Sequence, residues 1–234
     1  MKRAISWIVV LTAVSVSWAQ DEAAGKAQLQ ARVAELRKAI AANKAQLSKY
    51  QWLQTTEVAV KGEVKKQESF QCRYGADGKL QKTPVETNKP EKAPPGGLKG
   101  KLVAKKVAEM KDYNERLKSL ISHYVPPDSQ TLRAAAQAGH ASLQPSEGSA
   151  TVAFTDYYKP GDKLSITFDT AAKKLTGYDV TTYLDDPKKD VVTLTNQFAS
   201  LDDGTNYVQQ TVLDAQGKQI KITTTNQGHS LIPK

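Results

Sequence analysis

The sequence predicts an α+β protein in which a curved antiparallel β-sheet, a half-barrel-like meander of about eight to nine strands, packs against two or three helices. Three observations carry that expectation. Between Gly148 and Gly228 six short β segments follow one another through tight polar turns. Upstream, two stretches within residues 20–50 and 101–139 have apolar residues at helical spacing. The connections in the C-terminal block are too short for crossover helices, so neighbouring strands must run antiparallel.

The first residues read as a transport signal. Lys2 and Arg3 precede an apolar run from Ala4 to Val16, shorter than the roughly 20 apolar residues of a spanning helix. Ser17-Trp18-Ala19 then has the small-x-small pattern of a cleavage site. Residues 1–19 are expected to be removed near Ala19, leaving 20–234 as a single domain that is periplasmic or secreted. The lone cysteine, Cys72, lies far from this site, which excludes both a lipid-modified cysteine there and an internal disulfide.

From Asp21 to Tyr50 the row Leu29, Val33, Leu36, Ile40, Asn43, Leu47, Tyr50 has heptad spacing and predicts an N-terminal helix over 20–50. Such a row serves either a coiled coil or an amphipathic helix lying on its own sheet. The flanking Gln30, Arg37 and Lys44 offer no complementary charges, which favours the second. The period changes to two in the β-hairpin region 50–85, where Trp52, Val58 and Val60 share one face and Phe70, Cys72 and Tyr74 another. Lys61-Gly62 and Ala76-Asp77-Gly78-Lys79 are the turns, and a short third strand follows from Leu80 to Val85. Three prolines and three glycines among lysines make 88–100 an exposed loop, either a linker or a flap over a cleft.

Helices are expected over 101–139. Val103, Val107, Met110, Leu117, Leu120 and Ile121 form an apolar stripe on the longer one, from Lys101 to Tyr124, which Val125-Pro126-Pro127 stops. Asp128 or Ser129 caps a shorter helix that ends near Gly139. In the meander over 148–228, Leu164, Ile166 and Phe168 alternate with polar neighbours, as a half-buried strand does. Lys159-Pro160-Gly161-Asp162, Asp202-Asp203-Gly204-Thr205 and Ala215-Gln216-Gly217-Lys218 are turns, with glycine in the left-handed position.

Charge is uneven. The chain carries a net +9, and Gln20 to Pro145 holds 22 basic against 13 acidic residues, whereas Ser146 to Lys234 holds 9 against 11. The basic half suits reversible contact with an anionic membrane or envelope surface as well as plain solubility. Catalytic signatures are missing: there is no GxSxG, P-loop, GxGxxG or Cys-His pattern. His123, His140 and His229 stand apart, and the pairs Asp185-Asp186 and Asp202-Asp203 sit at turns. Hence no metal, no cofactor and no enzyme activity are expected. A base-stacking platform is missing too, so no nucleic-acid partner is expected.

The segments YYKPGDKLSITFDTAAKKLTGYDVTTYLDD and FASLDDGTNYV, with GGLKGKLVAKK and YVPPD upstream, resemble a widespread group of uncharacterised exported bacterial proteins. In its element order the chain is also similar to the half-barrel fold of periplasmic lipoprotein carriers of the LolA/LppX type. That resemblance implies a sheet half-enclosing helices, with acyl chains held between them, and Leu164, Ile166 and Phe168 lining the concave face beneath the Lys101–Tyr124 helix. Trp52, Phe70 and Phe154 would stand beside them. The function expected on this basis is a non-catalytic envelope module for a hydrophobic or amphipathic ligand, a lipid or a lipoprotein acyl group. The alternative is a structural or protein-interaction component of the envelope, oligomerising through the N-terminal helix.

Overall fold

The computed structural model describes residues 31, 34, 35, 38–85 and 97–233, with side chains of 97–104 outside that description. The signal segment 1–19, Leu29, Val33 and Leu36 of the N-terminal heptad row and residues 88–96 of the Pro/Gly/Lys loop lie outside the described residues.

Ten strands form one continuous antiparallel sheet. They are β1 (Tyr50–Val60), β2 (Glu63–Tyr74), β3 (Leu80–Pro84), β4 (Ala141–Ser146), β5 (Ser149–Thr155), β6 (Lys163–Asp169), β7 (Lys174–Tyr183), β8 (Val191–Ser200), β9 (Asn206–Ala215) and β10 (Ile220–Leu231). The six segments expected in the C-terminal block are β5 to β10. In space the order is β3-β2-β1-β10-β9-β8-β7-β6-β5-β4, so the N-terminal hairpins are added beside the last strand. The sheet is open and curved in the manner of a half-barrel, with β3 and β4 as its edges.

The strand beyond the expected eight to nine is β4. Its only apolar marks are Ala141 and Leu143, and Pro145 argues against a strand. Edge placement resolves the conflict. Ladder bonds join His140 to Thr155 across β4 and β5, and the alternation they set turns the Pro145 nitrogen towards solvent. Pro84 in β3 is placed in the same way by the bond from Val85 to Ser69.

Three helices lie on the concave face: α1 (described over residues 38–47), α2 (Gly97–Ser122) and α3 (Ser129–Gln137). Two boundaries differ from expectation. Tyr50 opens β1 rather than closing α1, and residues 97–100, expected in the loop, are the first turn of α2. Asp128 is the N-cap of α3: its carboxylate accepts from the backbone N–H groups of Gln130 and Thr131 and from the Thr131 hydroxyl. Those bonds hold the Asp128 carboxyl below its usual range, the Thr131 backbone bond first.

One hydrophobic core joins α2, α3 and β5 to β10. Among the described side chains of α2, Tyr113, Leu117 and Leu120 enter it and Met110 and Ile121 pack against it, whereas Val107 is 62% exposed. The expected stripe therefore meets the core from Met110 onward and not at Val107. Over its described part the N-terminal heptad row is used within the molecule: Ile40 packs against the core and Asn43 is bonded to Asn206.

The turn at 215–218 also departs from expectation. Gln219 (φ 52°), not Gly217, takes the left-handed position. Gly217 is required by proximity, because a Cβ there would lie 2.2 Å from Asp190 Oδ1.

Candidate functional site

The segment YYKPGD builds a buried polar knot. Asp162 is 2% exposed, and its carboxylate accepts from the N–H groups of Tyr157 (2.6 Å), Tyr158 (2.9 Å) and Lys159 (2.9 Å). The Tyr124 hydroxyl, at the end of α2, donates to it at 2.5 Å and lies 2.8 Å from Thr182 on β7. Tyr178 donates to the Tyr124 carbonyl, and Tyr157 accepts from the Asp128 N–H at the start of α3. Burial raises the phenols of Tyr124 and Tyr178 well above the usual tyrosine range, with the Asp162 bond adding to the rise at Tyr124. Every polar group named here is spent on another, which makes this a device that fastens the α2–α3 junction to the sheet. The residues that carried the family resemblance are thus used by the fold.

A second polar chain crosses β3, β2, β1 and β10 on the concave side. Lys82 donates to Gln54, Gln54 donates to Asn226, Trp52 donates its indole N–H to the same Asn226 oxygen, and Asn226 donates to the Val208 carbonyl. Trp52 stacks on His229 at 5.6 Å, and burial lowers the His229 pKa. Cys72 is fully buried beside it, and burial pushes its thiol up.

The residues expected to line a ligand space separate into three places. Phe154, Leu164 and Ile166 are fully buried between sheet and helices and interdigitate as filled core, and Phe168, nearly as buried, borders a void of about 10 Å³ beside Ala39 and Leu175. Trp52 is buried in the polar chain just described. Phe70 is half-buried near the β3 edge, with the Lys82 ammonium 5.8 Å from its ring centre. None of the six lines the larger cavity beneath α1 that Ile40 and Leu47 cover.

That cavity, of about 290 Å³, lies between α1 and the concave face of β7 to β9. Ile40 and Leu47 form its roof, and Leu175, Tyr178, Phe198 and Val208 its floor, with the α2–α3 connection at one side. Asn43 anchors the roof, donating from Nδ2 to the Asn206 carbonyl (2.6 Å) while its Oδ1 accepts the Asn206 N–H (2.7 Å). Lys173 pairs with Glu35 at 3.0 Å as a second tie between α1 and the β6–β7 turn. Just beyond the helix Tyr50, the first residue of β1, donates to Asp203. The helix is thus held by polar contacts around a mostly apolar space.

Sequence alternation points away from Leu175 and Val208 for a physical reason. The register of β6 with β7 shifts between Thr167 and Phe168, and that of β8 with β9 between Gln197 and Phe198. Each bulge reverses which residues face the helices, so Leu175 joins Tyr178, and Val208 joins Leu213, on the concave side. A usable signal was Asn43, the polar interruption of an otherwise apolar row.

Among the described residues no three His, Cys, Asp or Glu side chains gather as a metal site, and no helix is long and apolar enough to cross a membrane. No protein-family model matches the chain, and no curated protein matches it. Among solved structures, the crystal structure of a DUF1329 family protein from Desulfovibrio piger ATCC 29098 is similar over 85% of this chain and 92% of its own. The sequence identity is 9% and the TM-score 0.39.

Proposed function

We propose that the protein is a non-catalytic binding module for a hydrophobic or amphipathic ligand, exported by its N-terminal signal and acting in the cell envelope. The observation that carries this reading is the cavity of about 290 Å³ roofed by α1. It has the apolar lining and the scarcity of polar groups typical of small-molecule sites, and its volume stands at the lower end of their range of roughly 300–1,000 Å³. The described contacts of this roof are the Asn43 and Glu35 ties and the packing of Ile40 at the margin of the core, so it can lift while the fully buried residues of β5 to β10 stay closed. The resemblance in element order to the lipoprotein carriers agrees with this reading. Contact with an anionic envelope surface would be made by the exposed Lys105, Lys106 and Lys111 of α2, and would weaken with salt.

Calorimetric titration with 1-decanol against wild type and Leu175→Trp tests the reading. Saturable binding to wild type, lost when the indole fills the floor, is the expected result, with thermal melts confirming that both chains fold. Absence of binding to a folded wild type, or equal binding to a folded Leu175→Trp, would overturn it.

A further inference from the structure

Resting on the ligand-binding reading above, we infer that the cavity takes a single-chain anionic amphiphile of the fatty-acid class, tail under α1 and carboxylate at the lysines of the mouth.

Volume sets the tail. At about 30 Å³ per small group, the share of one water in the liquid, 290 Å³ holds about ten non-hydrogen atoms. That is one acyl chain of medium length. The two tails of a phospholipid, or the acyl cluster of a lipoprotein, would need several times as much.

The wall sets the orientation. Apart from Tyr74, whose ring packs tilted against Trp52 at 5.7 Å, its neutral polar side chains are engaged with the protein: Tyr178 donates to the Tyr124 carbonyl, Asn206 to the Leu175 carbonyl at 2.7 Å, and Asn43 holds Asn206. Asn196 accepts from Thr211 at 2.5 Å. A charged head drawn into this interior would lose its hydration without gaining a partner of opposite charge.

Charge sets the head. Among the described residues the lining includes Lys44 on α1, Lys173 in the β6–β7 turn and Lys174 at the start of β7, and no carboxylate. Lys174 reaches Ser200 Oγ at 3.2 Å across β8, and Lys173 holds Glu35. Glu35 and Asp203 instead border the neighbouring surface basin, which shares Ala39, Asn43 and Lys173 with the cavity, and both have partners. Three ammonium groups around an apolar opening complement one anion at the end of a chain. They also explain the roof tie: a bound carboxylate competes with Glu35 for Lys173, so arrival of the head loosens one of the contacts that keep α1 down.

Titration with decanoate, 1-decanol, hexadecanoate and dimyristoyl phosphatidylglycerol vesicles, at low and at 0.5 M salt, tests the inference. Decanoate should bind about tenfold more tightly than decanol, as a few partly screened lysines allow, and high salt should shrink that ratio. Along the carboxylates affinity should rise about fourfold per methylene until the cavity is full near ten carbons, then level off. In the variant K44Q/K173Q/K174Q the decanoate-to-decanol ratio should fall to within about twofold. Equal affinity of wild type for decanoate and decanol overturns the anionic head while leaving the ligand-binding reading intact. Affinity that climbs steadily to sixteen carbons, or tighter binding of the two-chain lipid, overturns the single short chain. If neither decanol nor decanoate binds, both readings fall together.

Discussion

Asp162 shows what a single buried carboxylate does in this protein. Three backbone N–H groups and the Tyr124 hydroxyl converge on it from the loop after β5 and the end of α2. Charge-assisted bonds of this kind are about twice as strong as neutral ones, and each donor left behind would be a buried orphan. Asp162→Asn, which sets an amide donor against an N–H donor, should cost about 3 kcal/mol in a urea melt. Tyr124→Phe, which removes one of the four donors, should cost about 1 kcal/mol. Alkaline pH attacks the same knot. Tyr124 and Tyr178 hold their protons above the pH, about 10, at which an unfolded chain releases them, so the unfolded state binds fewer protons there. Stability must then fall as pH rises past that point and be fully present below it. Urea midpoints at pH 9 and pH 10.5 should show this decline in wild type and a shallower one in Tyr124→Phe. At this scale the sequence was informative about turns and reticent about purpose. Lys159-Pro160-Gly161-Asp162 is legible as a turn from proline and glycine alone, and Gly161 does take φ 80°. That Asp162 points inward rather than to solvent depends on Tyr124, 38 residues away, which no local pattern supplies.

The helices divide into parts that hold the fold and parts that stand clear of it. Leu117, 3% exposed, is wedged into the core, and Leu117→Ala should cost 2–5 kcal/mol, roughly what deletion of a buried leucine costs elsewhere. Val107 sits on the same apolar stripe, yet Val107→Ala should stay within about 0.5 kcal/mol because its side chain already lies largely in solvent. Chemical denaturation of the two variants side by side checks the contrast. The roof helix behaves differently again. Asn43→Ala removes both bonds to Asn206 and should loosen α1 locally, by about 2 kcal/mol. Hydrogen exchange should quicken more than tenfold over residues 38–47 and stay unchanged in β6 and β7; an equal change in both would mean that α1 opens only with the whole protein. Periodicity in the sequence identified each of these elements but could not say how much of a stripe is covered. A stripe is a property of one helix, whereas coverage depends on where the partner surface ends. The cavity was harder still to foresee, because the bulges opposite Phe168 and Phe198 reverse the two-residue alternation of β7 and β9 and so bring Leu175 and Val208 to the concave face.

At the scale of the whole molecule the defining connection is the pairing of β1 with β10, which joins the start and the end of the described chain. The register Val60↔Ile220 spans most of the sequence, and β10 is bonded on both sides, to β1 and to β9. A chain ending at residue 219 should therefore lose its cooperative melt entirely, since the β1 to β3 hairpins would have no sheet to join. Pairings this distant are slow to form, and refolding in stopped flow should take milliseconds to seconds. The C-terminal meander, built from neighbours, was legible strand by strand; the long-range closure was not, because nothing in Tyr50–Val60 names its partner. An open sheet also presents two rims of unpaired backbone, here along the short edge strands β3 and β4, and such rims are the usual seeds of fibre growth. Each rim here carries a proline whose ring faces outward, Pro84 on β3 and Pro145 on β4. An incoming strand would meet a ring where it needs a hydrogen-bond donor. The protein should accordingly remain clear on long storage at high concentration, and P84V/P145V should turn the solution cloudy and bind thioflavin: two prolines stand between this architecture and amyloid.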